Sequence, residues 1–325
     1  MNKIITISLL FLTLISCQKK IEISLPDVVQ DTVLEGRIEI GLPPLVILTK
    51  TQGYFDPTSA DAIFNTFIHG ADVKMTVNGT TYTLTEFCST SIPDSLLADV
   101  SALTGVPIEN LTAFDYCVYT NFTIFGQENT SYQLDVITSE DTLSAITHIP
   151  GIVPLTNTWF QPQPNLDSLG FIWATLQDPD SAGNCYRWYA QRINRYDYEY
   201  PGYPGGPYLG KIKDPFPIAP FGSVIDDRFF DGLSFDFQYN RGEIGNLEGP
   251  DDEGPEEGYF KSGDTVLVKF TSIDYLTYLH IRALENQAAT NGSPFASPGN
   301  LPTNVKGGIG IWAGFAPYYD TVVCN

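Results

Sequence analysis

Residues 71–87, ADVKMTVNGTTYTLTEF, constrain the fold more than any other stretch. Val73, Met75 and Val77 alternate with polar residues, Asn78-Gly79 follows, and Tyr82 and Leu84 alternate on the return. Alternation with period two lays one face of each strand on a core. Asn-Gly accepts the positive φ of the two-residue turns that match strand twist. A chain with this signal builds an antiparallel sheet. Neighbouring stretches repeat the theme. TVLEGRIEI (32–40) and LVILTKT (45–51) flank a turn at Gly41 and Pro43-Pro44, and SYQLDVITSEDTLSAITHIP (131–150) reads as two strands about Glu140-Asp141. Short strands with turns at this spacing predict an immunoglobulin-like β-sandwich over residues 33–154.

One segment breaks the pattern. Between Cys88 and Cys117, Asp94 is placed to cap a helix carrying Leu96, Leu97, Val100 and Leu103, and Gly105 and Pro107 would stop it.

The second half, 155–325, reads as another β-rich domain. Residues 155–166 hold Pro162 and Pro164 and resemble a linker. In GFIWATLQDPDSAGNCYRWYAQRI (170–193), Phe171, Trp173 and Thr175 alternate with Ile172 and Ala174, then 178–184 turns the chain into a second strand. TVLVKFTSI (265–273) is a strand, DYLTYLHIRALENQAA (274–289) a helix, and GGIGIWAGFAPYYDTVVC two final strands. With 18 Tyr, 20 Phe, 28 Gly and 23 Pro against 2 Met, composition agrees. The expected fold class is therefore mainly β: an N-terminal immunoglobulin-like β-sandwich, then a second β-rich domain with one or two short helices.

The N-terminus speaks to location. Lys3 leads an apolar run over 4–15 that ends in Leu14-Ile15-Ser16-Cys17. About a dozen apolar residues suit a signal peptide and fall short of the roughly 20 that span a bilayer. The ending resembles the lipobox at which bacterial lipoproteins are cut and lipidated. Residues 1–16 are then a signal peptide, Cys17 the lipid-bearing N-terminus, and 17–32 a tether broken by Pro26. The expected partner of that end is a membrane, reached through the lipid. A formal charge of -21 repels phosphates, so nucleic-acid binding is excluded as a main role.

With Cys17 used by lipid, Cys88, Cys117, Cys185 and Cys324 remain for an oxidising compartment. Four cysteines allow three pairings. Cys88–Cys117 and Cys185–Cys324 are favoured because each stays within one half of the chain. Zinc is the competing reading, but the chain holds no C-x-x-C pair and only three histidines, His69, His148 and His280.

The sequence carries no G-x-S-x-G, H-E-x-x-H or Walker-type loop, and the expectation is a non-enzyme. A paired-carboxylate hydrolase stays a lesser alternative, because 38 Asp and Glu residues single out no pair. Asp178, Asp180 and Asn184 resemble the start of a calcium loop, with Gly183 at its sixth position. Ala182 replaces a ligand and no glutamate stands at the twelfth, so a plain turn is the stronger reading. Tyr196, Tyr198, Tyr200, Tyr203 and Tyr208, amid Pro and Gly, read equally as a recognition loop for a ligand or partner and as a loop whose rings pack on their own fold.

Several segments together resemble a known family. They are Cys17, VLEGRIEIGLPPLVILTKTQGYF (33–55), GADVKMTV (70–77), THIPGIVPL (147–155), FFDGLSFDF (229–237), SGDTVLVKF (262–270), TYLHIRALENQ (277–287) and NGSPFASPGNLPTNVKGGIGIWAGF (291–315). On these the chain resembles the Bacteroidetes lipoprotein family called domain of unknown function 4249. The resemblance implies an outer-membrane lipoprotein with an immunoglobulin-like domain joined to a second β-rich domain. It also implies a role as a non-enzymatic accessory, or substrate-capturing partner, of a TonB-dependent β-barrel receptor that takes up a small nutrient. A structural or assembly factor of the cell surface is the alternative. Surface lipoproteins of this kind often carry an acidic run after the anchor. Gln18-Lys19-Lys20 stands here instead, which leaves the leaflet open, with the cell surface favoured.

Overall fold

The computed structural model describes residues 30–53, 59, 62, 65–106, 108–202, 206–242, 250, 256–290 and 300–325. β1 (Thr32–Glu39) and β2 (Leu45–Lys50) come first, then β3 (Asp72–Val77) and β4 (Thr80–Cys88). Asn78 and Gly79 close the hairpin between the latter two at φ 50° and 77°. Helices α1 (Leu97–Thr104) and α2 (Ile108–Ala113) follow, and β5 (Cys117–Thr120), β6 (Thr130–Ile137) and β7 (Thr142–Ile149) complete the first half. The second half supplies β8 (Leu155–Gln163), β9 (Leu166–Gln177), β10 (Cys185–Arg192), β11 (Val224–Asp226), β12 (Ser234–Tyr239), β13 (Phe260–Lys261) and β14 (Thr265–Ile273). Helix α3 (Tyr275–Thr290), β15 (Val305–Lys306) and β16 (Ile309–Val323) end the chain.

The chain is mainly β. Twelve strands form one sheet in the order β11-β10-β14-β16-β1-β2-β5-β4-β3-β6-β7-β15. A smaller sheet runs β12-β9-β13, with β8 on β9. β1 and β16 pair in parallel, while their other neighbours are antiparallel. The large sheet curls. Trp312 Nε1 donates to the Tyr132 carbonyl at 3.0 Å, and a Cβ on Gly314 would lie 2.6 Å from the His148 carbonyl oxygen, so β16 sits close over β6 and β7.

Alternation decides the cores. Leu34, Ile38, Val73, Met75, Leu134, Val136 and Trp312 are sealed from solvent in the first. Ile172, Ala174, Leu176, Tyr186, Trp188, Phe260, Val266 and Val268 make the second. β16 serves both, because Trp312 and Ala316 lie in the first and Val322 in the second.

Three expectations change. Residues 155–166 are largely strand β8, not a linker; Pro162 is tolerated because β8 pairs on one side only and its register slips beside Pro162. The two strands expected over 170–193 are present, β9 in the small sheet and β10 in the large one. The two final strands are one strand of 15 residues. Pro317 fits within it because β1 reaches only to Phe315, so no ladder bond on that side is lost. Asp94 opens a 3-10 turn ahead of α1, and no side-chain bond caps either element; Gly105, at φ 73°, does end α1.

The cysteines divide. Cys88 and Cys117 face each other across β4 and β5 and form a disulfide that ties the helical excursion to the sheet. Cys185 and Cys324 are free and buried, which corrects the second pairing. Cys185 lies opposite Ile273 at one end of β14, and Val323, next to Cys324, lies opposite Thr265 at the other. Eight residue steps at about 3.3 Å separate them by roughly 26 Å. A disulfide requires Cα atoms within about 7 Å.

Candidate functional site

A largely apolar cavity lies on the outer face of the large sheet. Alternation along β1 turns Leu34 and Ile38 into the core and leaves Glu35 and Arg37 on the opposite face. Register places Glu35 between Ile311 and Ile47, and Arg37 between Ala313 and Leu45. Tyr116 and Val118, before and in β5, extend this face. Helix α3 covers it with Thr277, His280, Ile281 and Leu284, a spacing that keeps all four on one side. Arg187 from β10 and Thr104 from α1 also line it. Its volume is about 260 Å³.

Most of the wall is apolar, but the polar groups converge. Nδ1 of His280 lies 2.7 Å from the Pro302 carbonyl oxygen. A carbonyl only accepts, so Nδ1 carries the hydrogen, and Nε2 of a neutral ring is an acceptor. Arg187 donates from Nη2 to Glu285 at 3.3 Å and stacks its guanidinium 5.0 Å from the Tyr189 ring. Its Nε is buried without a partner, as is Oγ1 of Thr277. Arg37 and Glu35 make no hydrogen bond or ion pair among the described residues. Both act on Tyr116: burial pushes its hydroxyl up to about 12, Glu35 adds to the rise and Arg37 opposes it. Tyr116 therefore keeps its proton at neutral pH and can donate. Beyond Arg37, a second hollow leads to Lys269, whose charge is taken by Glu39 at 2.6 and 2.8 Å.

The turn at 178–184 is held by contacts within the protein. Asp178 accepts from the Tyr186 hydroxyl at 2.6 Å and from the Gly232 N–H at 3.0 Å. Asn184 spends its side-chain amide on the Ser181 carbonyl at 2.6 Å. Carboxylates of Asp178, Asp227 and Asp231 gather within 4.8 Å of one another. Sequence reasoning missed Asp227 and Asp231, which lie some fifty residues downstream. Asp227 receives the N–H groups of Gly183 and Asn184, both at 2.7 Å. Desolvation, and then the charges of Asp227, Asp178 and Asp180, hold the exposed Asp231 carboxyl above its usual range. In this arrangement Asp178 and Asp227 fasten the turn. A second group, His69 and Glu86 beside Cys88 and Cys117, has both its sulfurs in the disulfide.

The tyrosine loop folds back in part. Tyr196 and Tyr208 are buried, with ring centroids 5.4 Å apart edge to face, and Tyr200 packs against both. Tyr198 stays 61% exposed. Lys213 and Lys211 lie over the Tyr196 and Tyr208 rings at 5.5 and 5.2 Å. Tyr203 and Cys17 lie outside the described residues. No described helix is long and apolar enough to cross a membrane.

The residues around the cavity were not singled out by sequence. Only the position of α3 turns the strand face that carries Glu35 and Arg37 into a wall. Among known families, the model described as domain of unknown function (DUF4249) matches residues 18–318. No curated protein matches the chain.

Proposed function

Since the chain belongs to the DUF4249 family, we propose that it is a small-ligand-binding module carried on a lipid anchor at Cys17. In this reading it is a non-enzymatic accessory of a TonB-dependent outer-membrane receptor in nutrient uptake, on the cell-surface side. The observation that carries the binding role is the cavity beneath α3: apolar walls with a few convergent polar groups are the general form of a small-molecule site. The apolar run ending at Cys17 supports the anchor.

Purification of tagged protein from detergent-solubilised membranes tests the partnership. A co-purifying β-barrel receptor, with loss of growth on one nutrient after depletion, is the expected outcome. A general envelope defect without such a receptor supports the assembly-factor reading instead. Globomycin, which blocks lipoprotein signal cleavage, is expected to leave residues 1–16 attached.

A further inference from the structure

We propose that the cavity beneath α3 takes a small organic monocarboxylate with an apolar body; this names a ligand class and rests on the small-ligand reading above. Charge is the first argument. The chain holds 17 Lys and Arg against 38 Asp and Glu, yet two guanidinium groups line this one cavity. Arg37, half-buried, makes no hydrogen bond or ion pair among the described residues, and Arg187, whose Nη2 is paired with Glu285, leaves Nε buried and unpaired. A buried donor without an acceptor is costly, so the Arg187 Nε calls for a ligand that supplies one, and Arg37 offers that ligand an unspent charge. A guanidinium presents parallel N–H groups that match a carboxylate in geometry as well as charge. The Tyr116 hydroxyl adds a neutral donor.

Glu35 sets the limit on that charge. It is exposed on the same face two residues from Arg37, where it disfavours a dianion such as phosphate and tolerates a single charge better. Size and polarity define the rest. A 150 Å³ cavity holds benzene, so about 260 Å³ accommodates a body of roughly ten heavy atoms. Leu45, Ile47, Val118 and Ile311 supply the apolar wall.

Calorimetric titration of the full-length protein in detergent with phenylpropionate, phenylpropionamide and phenylpropylamine tests the class. The carboxylate is expected to bind at least tenfold more tightly than the amide, and the amine more weakly still. Arg37→Gln is expected to erase the preference for the carboxylate. Ile47→Trp is expected to fill the cavity and abolish binding, and Leu284→Trp does the same from the helix side if the first variant loses thermal stability. Equal or tighter binding of the amide or amine overturns the anion class. If Ile47→Trp still abolishes that binding, the small-ligand reading stands without it. Failure of all three compounds to bind overturns the proposal, and receptor co-purification then judges the broader reading separately.

Discussion

At the residue scale, two glycines show how different constraints hide under one letter. Gly79 takes φ 77° in the β3–β4 hairpin, and a Cβ there would meet open space. An alanine there meets only the left-handed backbone, a cost of about 1–2 kcal/mol. Gly310 also has positive φ, 112°, but lies in β16 against β1, where a Cβ would run into the Leu34 carbonyl oxygen. We expect Gly79→Ala to lower unfolding free energy by about 1 kcal/mol and Gly310→Ala by about 3 kcal/mol or more, measured by denaturant titration. Similar losses would show that the β1–β16 approach is not the constraint. His280 carries the same lesson for chemistry: one of three histidines by sequence, it becomes a wall of the cavity only through the Pro302 carbonyl that orients it.

At the element scale, the excursion over 89–116 depends on a cross-link. Closing a segment of 29 residues stabilises the fold by about 2–4 kcal/mol. Replacing Cys88 and Cys117 together with serine should cost that much and speed amide exchange first in α1 and α2. The other two cysteines behave oppositely. Burial, then Asp226 and Asp227, pushes the Cys185 thiol up to about 12; burial, then Asp264, does the same for Cys324. An unfolded thiol ionises near its ordinary value of 9.0, while the folded one does not until about 12. Their contribution to stability is therefore complete below pH 9 and is lost as pH rises from there towards 12. At pH 8 iodoacetamide should leave both unmodified in the native protein and label both after unfolding without reductant, read by peptide mass spectrometry. A disulfide-linked peptide joining Cys185 to Cys324 would contradict the structure.

At the scale of the whole molecule, β16 is the element on which both cores depend. Its first half supplies Trp312 to one core and its last turn of alternation supplies Val322 to the other, with β1 on one side and β14 on the other. Losing either core frees a strand that the other needs. Trp312→Ala and Trp188→Ala, one per core, are each expected to cost about 3–5 kcal/mol and to shift a single cooperative melting transition. Two resolved transitions in calorimetry would show that the cores unfold separately. The hairpin, the strands about Glu140-Asp141, the strand over 265–273 and helix α3 were legible because their signals are local: alternation, turn residues and helical spacing lie within a few positions of one another. The route of β8, the parting of β9 and β10, the fusion of the last strands and the state of Cys185 and Cys324 were not. Each depends on which distant strand lies alongside, and local pattern carries no information about that. The sequence by itself determined a mainly β chain and its turns, and favoured the disulfide across the excursion. Only the tertiary structure decided that Glu35, Arg37, Tyr116, Arg187 and His280 share one cavity, because pairing β1, the first strand, with β16, the last, and laying α3 over them brings together residues some 245 positions apart along the chain.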